Sequence, residues 1–477
     1  MIVSIQELAQ RSGIKFGTSG LRGLVENLTN EVCFAYTKAF LLSQDVNFTK
    51  VAIGHDLRPS SPQITQACIS AIESQGLEVI YLGALPTPAL AYYCLNKLIP
   101  GVVVTGSHIP FDRNGIKFYR ADGEISKSDE ESIIGSNVQI EGYNLSTSSP
   151  VIDREAIELY QKRYTDFFGT HFLSGKTIAI YQHSSVARDF LGDLFQAMGA
   201  KTLLLGHSNQ FVPIDTEAVR DKDINQAKQW AKEYNFDMLV STDGDADRPL
   251  ILDENGEFIR GDILGILTAQ YLQADYVATP VSSNTAVELS GSFLSVTRTK
   301  IGSPFVVEAM RNIAKADATK LIVGYEANGG FLQGSTINKS GKTLGALPTR
   351  DAILPMLSLM GLSNEREKPV SQLNEGLPTR FTHSDRVQNF DPKKSSTLLK
   401  SLINKPKNLS HYLDADLGEV IETDLTDGLR ITFGNGDVVH LRSSGNAPEL
   451  RIYSESSTVV SAERLVNMVV KNLRSTS

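Results

Sequence analysis

The chain has 477 residues, 41% hydrophobic and 21% charged, an ordinary balance for a globular protein and too long for one core, so three or four domains are expected. A net charge of −8 argues against a nucleic-acid partner, although a local arginine cluster can still hold an anionic substrate. Three cysteines without metal-type spacing, no signal-peptide pattern and no uncharged apolar run of membrane-spanning length together predict a cytoplasmic protein with no membrane partner.

In chain order, Val51-Ala52-Ile53-Gly54 reads as a strand. Ser60-Ser61-Pro62 then opens a helix, with a capping serine and a proline in the first turn. Val79 to Leu82 and Val102 to Val104 are further strands. The pattern restarts at Lys176 to Ile180, continues through a helix from Ala187 to Met198, and returns to strand at Leu203 to Leu205 and Met238 to Val240. A third unit has strands at Asp275 to Thr279 and Leu321 to Val323, with a helix from Phe305 to Ala314 between them. Such alternation predicts βαβ units with mixed, largely parallel sheets. Ser363 to Pro369, rich in charge, reads as a linker. Beyond it, Ile421 to Ser454 has strand-like pieces with turns at Asp427-Gly428 and Asn435-Gly436. Helical patterns flank them at Ser396 to Asn404 and Ala462 to Leu473, as expected for an α+β domain. The expected architecture is α/β: three related α/β domains and a C-terminal α+β domain around a central cleft. The expected boundaries are 1–150, 151–257, 258–368 and 369–477.

Three strands end in polar, glycine-bearing loops. Val102-Val103-Val104 runs into Thr105-Gly106-Ser107-His108-Ile109-Pro110, with Asn114-Gly115-Ile116-Lys117 close behind. A serine there sits where open α/β sheets hold ligands. Met238-Leu239-Val240 runs into Asp243-Gly244-Asp245-Ala246-Asp247-Arg248. Alternate residues of an extended loop share a side, so three carboxylates can converge on a hard cation such as Mg²⁺ or Mn²⁺. An EF-hand reading, with Glu254 at the twelfth position, fails because Arg248 stands where glycine is needed. Arg248 beside the acids favours a phosphate near the metal. Leu321-Ile322-Val323 runs into Gly324-Tyr325-Glu326-Ala327-Asn328-Gly329-Gly330, whose carboxylate and amide can grip sugar hydroxyls or simply form a surface turn.

Arg442-Ser443-Ser444-Gly445-Asn446-Ala447-Pro448, followed by Arg451, joins hydroxyls, a glycine backbone and arginine forks, the means by which proteins hold phosphate. Arg451 reads equally as an outward-facing strand residue. Lys15-Phe16-Gly17-Thr18-Ser19-Gly20-Leu21-Arg22-Gly23 lacks the Walker spacing and is no nucleotide loop. His55, His183 and His440 read as structural.

These five segments, in this order, resemble the α-D-phosphohexomutase superfamily over essentially the whole chain. The resemblance implies Ser107 as a phosphoserine. It implies Asp243, Asp245 and Asp247 as ligands of one Mg²⁺, with the serine phosphate completing the site. Glu326 and Asn328 fall on the sugar loop, and Lys300 and Gly302 on the specificity loop Thr299 to Pro304. Arg442, Ser444, Gly445, Asn446 and Arg451 fall at the loop for the non-reacting phosphate. Arg22, Lys117, His108 and Arg248 surround the transferring group, with Lys117 a candidate for proton transfer. The chain departs from the family at Ile109, Asn328, Gly330, Ser443 and Asn446, where asparagine, serine, histidine, proline and threonine are usual or common. The implied activity is transfer between the 1- and 6-positions of a phosphorylated hexose, by a monomer or homodimer, with a hexose bisphosphate as catalytic activator. The opening motif and the altered sugar loop look most like bacterial phosphomannomutases of surface-polysaccharide pathways, ahead of phosphoglucomutases and phosphoglucosamine mutases. A catalytically silent sugar-phosphate sensor and a metal-dependent phosphatase are the alternatives from other classes.

Overall fold

Val102-Val103-Val104 has no polar side chain to offer water, and the strand it forms, Gly101–Val104, is wholly buried. It lies beside Lys50–His55, which in turn borders Glu78–Ala84, and all three run parallel. On its other side the sheet continues with antiparallel strands, Arg113–Arg120, Leu21–Leu24 and Lys15–Phe16. This description comes from a computed structural model that covers residues 2–17, 20–44, 47–140, 145–146, 148, 150–405, 417–444 and 449–475.

The chain divides into two compact units, Met1–Gln273 with Asn328–Leu373, and Ala274–Ala327 with Asn374–Ser477. The segment 258–368 is therefore shared between them. In the first unit a second sheet has the order Lys201–His207, Thr177–His183, Met238–Thr242, Pro249–Leu252, parallel until the last strand. In both sheets a buried parallel strand thus turns back into an antiparallel neighbour. Val104 pairs with Ile116, and Thr242 with Pro249. The serine loop and the acidic loop are the connections at those two returns.

In the second unit Ser295–Thr299, Tyr276–Pro280 and Ile322–Tyr325 form a parallel arrangement backed by the helix Ser303–Ala316. The C-terminal part is an antiparallel sheet in the order Phe381–Gln388, Glu449–Ser456, Val438–Ser443, Leu429–Phe433, Val420–Asp424. Its core includes Leu429, Ile431, Leu450, Ile452, Val466 and Val469. Glycines at positive φ make the two expected turns, Gly428 at 87° and Gly436 at 84°.

Two local expectations are corrected. The helix Ile353–Arg366 extends through half of the predicted linker, because Leu359, Met360, Leu362 and Ser363 face the interior. The charges in that stretch point outward, and Glu365 pairs with Lys339 at 2.9 Å. Ser60 precedes the helix Ser61–Glu73 without capping it by its side chain; its hydroxyl accepts from Asn114 Nδ2 at 2.8 Å instead. A further strand, Phe381–Gln388, was not anticipated; its sequence FTHSDRVQ is mostly polar, and it pairs along its full length with Glu449–Ser456.

Candidate functional site

Ser107 is fully buried and holds a left-handed backbone conformation, φ 54°. Its hydroxyl donates to Asp243 Oδ2 at 2.5 Å. Asp243, Asp245 and Asp247 are buried together, each offering an oxygen within 4.8 Å of the others. Their convergence does not come from the extended loop that alternate spacing suggested. The segment is a turn, with Ala246 at φ 59°, and its tightness aims the three carboxylates inward.

Burial pushes the Asp243 carboxyl well above its ordinary range, helped by Asp245 and Asp247. Burial also opposes ionisation of Asp245, but Lys117 and Thr87 overcome it and hold its carboxyl low. At Asp247 burial is likewise outweighed, chiefly by Arg350 and Lys117. Lys117 Nζ donates to Asp245 Oδ2 at 2.7 Å and to Asp247 Oδ2 at 2.6 Å. The opposite oxygens, Asp245 Oδ1 and Asp247 Oδ1, are buried without a hydrogen-bond partner. Two orphaned carboxylate oxygens, beside a third acid whose ionised form is disfavoured, are what a bound cation corrects. An all-oxygen donor set suits a hard divalent ion. The triad therefore fits a metal, and Glu254, the EF-hand alternative, is engaged with Ser371 instead.

The remaining predicted cations of this unit gather here. Arg22 donates to Thr105 O at 3.3 Å, and burial lowers its pKa to about 10 against the pull of Asp245. Arg248 stands 3.7 Å from Asp247 and donates to His108 Nδ1 at 3.0 Å. Burial, then Arg248, depress the His108 imidazole to about 3, so it is neutral near pH 7 and its Nδ1 is already accepting. Lys117 spends two of its three donors on carboxylates. Asn328 is buried; its amide oxygen accepts from Gly330 N at 2.9 Å and its backbone carbonyl from Thr216 Oγ1 at 2.7 Å.

In the second unit Glu326 is buried. Gly302, at φ 135°, starts the helix Ser303–Ala316. Lys300 is exposed, with its ammonium 5.8 Å from the Phe305 ring. Ile301 N donates to Asp427 Oδ2 at 3.0 Å, and Arg442 Nε lies 3.2 Å from the same oxygen. One carboxylate thus touches both the loop at 299–304 and Arg442. Ser444 N donates to Glu449 O at 3.0 Å. Arg451 is paired with Glu449 at 2.9 Å on the sheet. Gly445 and Asn446 lie outside the described residues.

Sequence reasoning missed Asp56, Arg58, Thr87 and Arg350. Thr87 donates to Asp245 Oδ2 at 2.8 Å, and Arg350 reaches Asp247 at 2.9 Å. Arg350 also bears on the glycine at 330, since a Cβ there would stand 2.5 Å from Arg350 Cδ. Asp56 and Arg58 had a signal: a fourth strand, Lys50–His55, also ends in a polar loop.

Four models of phosphoglucomutase/phosphomannomutase domains match the chain in order. The alpha/beta/alpha domains I, II and III match residues 13–143, 162–256 and 260–381, and the C-terminal domain matches 399–472. The chain belongs to the phosphoglucomutase/phosphomannomutase family. A phosphomannomutase of Salmonella muenchen is 46% identical, covering 99% of this chain and 98% of its own length. A phosphomannomutase of Sinorhizobium fredii is 41% identical over 95% and 97%. A phosphoglucosamine mutase of Alkaliphilus oremlandii is more distant, at 31% over 76% and 81%. Among solved structures, a family protein of Burkholderia thailandensis shares the fold at TM-score 0.73 and 18% identity, over 96% of this chain and 97% of that one. No described helix is long and apolar enough to cross a membrane.

Proposed function

We propose that this family member is a phosphomannomutase, interconverting mannose 1-phosphate and mannose 6-phosphate through a phosphoserine at Ser107. The observation that carries the reading is the buried Ser107–Asp243 hydrogen bond at the rim of a three-carboxylate cluster with two orphaned oxygens. The names of the relatives at 46% and 41% identity support mannose over glucosamine.

Phospho-Ser107 would give its phosphoryl group to a sugar hydroxyl. The serine P–O bond breaks as the sugar P–O bond forms; the sugar hydroxyl gives up its proton, the released Ser107 oxygen gains one, and a hexose bisphosphate results. Return of the other phosphate to Ser107 completes the interconversion. Phosphoryl transfer asks chiefly for positioning and charge neutralisation. One Mg²⁺, held by Asp243, Asp245, Asp247 and the phosphate on Ser107, would offset charge on the transferring group. Arg22, Arg248 and Lys117 supply fixed positive charge around it. Asp243 takes the hydroxyl proton of the dephosphorylated serine as a hydrogen bond, which aims that oxygen. Arg442 and Ser444, with Gly445 and Asn446, would hold the distal phosphate, while Glu326 and Asn328 read the hydroxyls and Lys300 and Gly302 line the specificity loop. Binding energy at those remote groups orients the reacting end. A catalytic amount of hexose bisphosphate would keep Ser107 phosphorylated.

The test is Mg²⁺-dependent turnover of mannose 1-phosphate, with glucose 1-phosphate and glucosamine 1-phosphate alongside, under catalytic bisphosphate. The highest kcat/KM for mannose 1-phosphate supports the reading. A higher value for another sugar moves the specificity. Release of inorganic phosphate without isomer would indicate a phosphatase, and no turnover of any sugar a sensor.

A further inference from the structure

The Ser107 loop is gripped from below by one side chain. Arg58 is 1% exposed, and each of its five N–H donors is used. Nε donates to Asp56 Oδ2 at 3.1 Å. Nη1 donates to Pro110 O at 2.7 Å and Arg113 O at 2.8 Å. Nη2 donates to Ser107 O at 2.9 Å and Ile109 O at 2.5 Å. With no donor left over, the guanidinium has nothing to offer a substrate. Everything it binds is the backbone of the serine loop, or the carboxylate that fixes its own position.

Asp56 extends the grip. Its Oδ2 accepts from Thr105 Oγ1 at 2.9 Å and Gly106 N at 3.2 Å. Thr105 Oγ1 in turn accepts from Ser107 N at 2.8 Å. Phe211 closes the other side, its ring 4.2 Å from the Arg58 guanidinium carbon. The same ring lies within 3.4 Å of a Cβ built on Gly244, in the acidic loop. Gly106 is required where it stands, because a Cβ there would meet the guanidinium carbon at 2.3 Å.

We propose that Arg58, locked by Asp56, is the positioning residue of the phosphoryl-carrying serine: its fork holds the loop carbonyls that keep Ser107 in the left-handed conformation facing Asp243. A non-glycine residue at positive φ persists only where its surroundings over-determine it, and Arg58 with Asp56 does so here. The grip is on backbone atoms, so it is indifferent to the side chain at 109.

The inference rests on the phosphoserine reading and is tested by Arg58→Lys, which keeps the charge and loses the fork. The rate of Ser107 phosphorylation by mannose 1,6-bisphosphate is followed by mass spectrometry of the intact protein, with steady-state kcat and KM and the melting temperature alongside. The expected result is a folded variant whose phosphorylation rate and kcat fall by about a hundredfold while KM stays within about twofold, the pattern of a displaced nucleophile. A folded variant with wild-type kcat, or one in which KM rises and kcat holds, overturns it. Should Arg58→Lys not fold, Thr105→Val decides. It removes only the hydroxyl linking Asp56 to Ser107 N and should lower kcat by about tenfold at constant KM; unchanged kcat overturns the proposal. A wild-type protein that takes up no phosphate on Ser107 would instead sink the phosphoserine reading itself, leaving the two failures distinct.

Discussion

Ser107 and Asp243 are 136 positions apart in sequence and joined by a 2.5 Å hydrogen bond with both side chains buried. The bond ties the first sheet's serine loop to the second sheet's acidic loop. Ser107→Ala would remove the proposed phosphoryl carrier and one buried hydrogen bond. Hexose phosphate interconversion should fall by about a thousandfold or more, while the protein stays folded with a modest fall in melting temperature. Incubation with labelled hexose bisphosphate should leave the variant unlabelled. Wild-type turnover by Ser107→Ala would exclude a phosphoserine at this position.

The metal prediction follows from the two orphaned oxygens. Lys117 already occupies Oδ2 of both Asp245 and Asp247, so a cation can use Oδ1 of each without displacing it. Asp245→Asn should weaken Mg²⁺ binding, read by calorimetry on the wild type and variant, by about a hundredfold or more. Chelation should abolish wild-type activity, and added Mg²⁺ should restore it. Equal Mg²⁺ affinity in the two proteins would place the metal elsewhere.

Much of this was legible in the chain because strands and turns leave local marks. Val102 to Val104 and Met238 to Val240 are apolar, short and followed by polar loops, and both became buried strands with those loops at their ends. Asn435-Gly436 announced its turn. The left-handed turn at Ala246 could not be read, because alanine carries no preference for positive φ. Arg58 was passed over for a different reason. Its loop partners are backbone carbonyls some 50 positions away, and carbonyls are the same whatever residue carries them. Arg350 was likewise invisible until Asp247 stood beside it.

Gly330 illustrates how such a hidden partner constrains a loop. Arg350 Cδ occupies the space that a Cβ at 330 would take, at 2.5 Å. Gly330→Ala must push the arginine back and break its pairing with Asp247, formed through Nε at 3.1 Å and Nη2 at 2.9 Å. The long side chain can move, so the fold should survive. The loss of one charge-assisted contact to an acid of the cluster should lower kcat by about tenfold. Arg350→Lys should show a similar decrease, and the double variant little more than either alone, because both act on one contact. Additive losses in the double variant would show that Gly330 matters for a reason other than Arg350.

His183 and His440, both buried, predict how stability depends on acid. His183 Nε2 lies 2.9 Å from Thr242 O and His440 Nε2 lies 2.5 Å from Asp427 O. A carbonyl only accepts, so Nε2 carries the proton in each ring. Each Nδ1 is buried without a partner, and a second proton there would have nowhere to point. Burial accordingly lowers both imidazoles to about 4. Unfolded, each titrates near its ordinary value of about 6.5. Between these values the unfolded chain binds more protons than the folded one, so stability falls as pH drops from about 6.5 towards 4. Each histidine contributes a loss on the order of 3 kcal/mol across that window. The check is the unfolding temperature from pH 7.5 to 4.5 for the wild type and for His183→Asn and His440→Asn. Each variant should start lower at pH 7.5, having lost a buried hydrogen bond, and show a shallower decline below pH 6.5. An equally steep decline in both would assign the acid sensitivity to other groups.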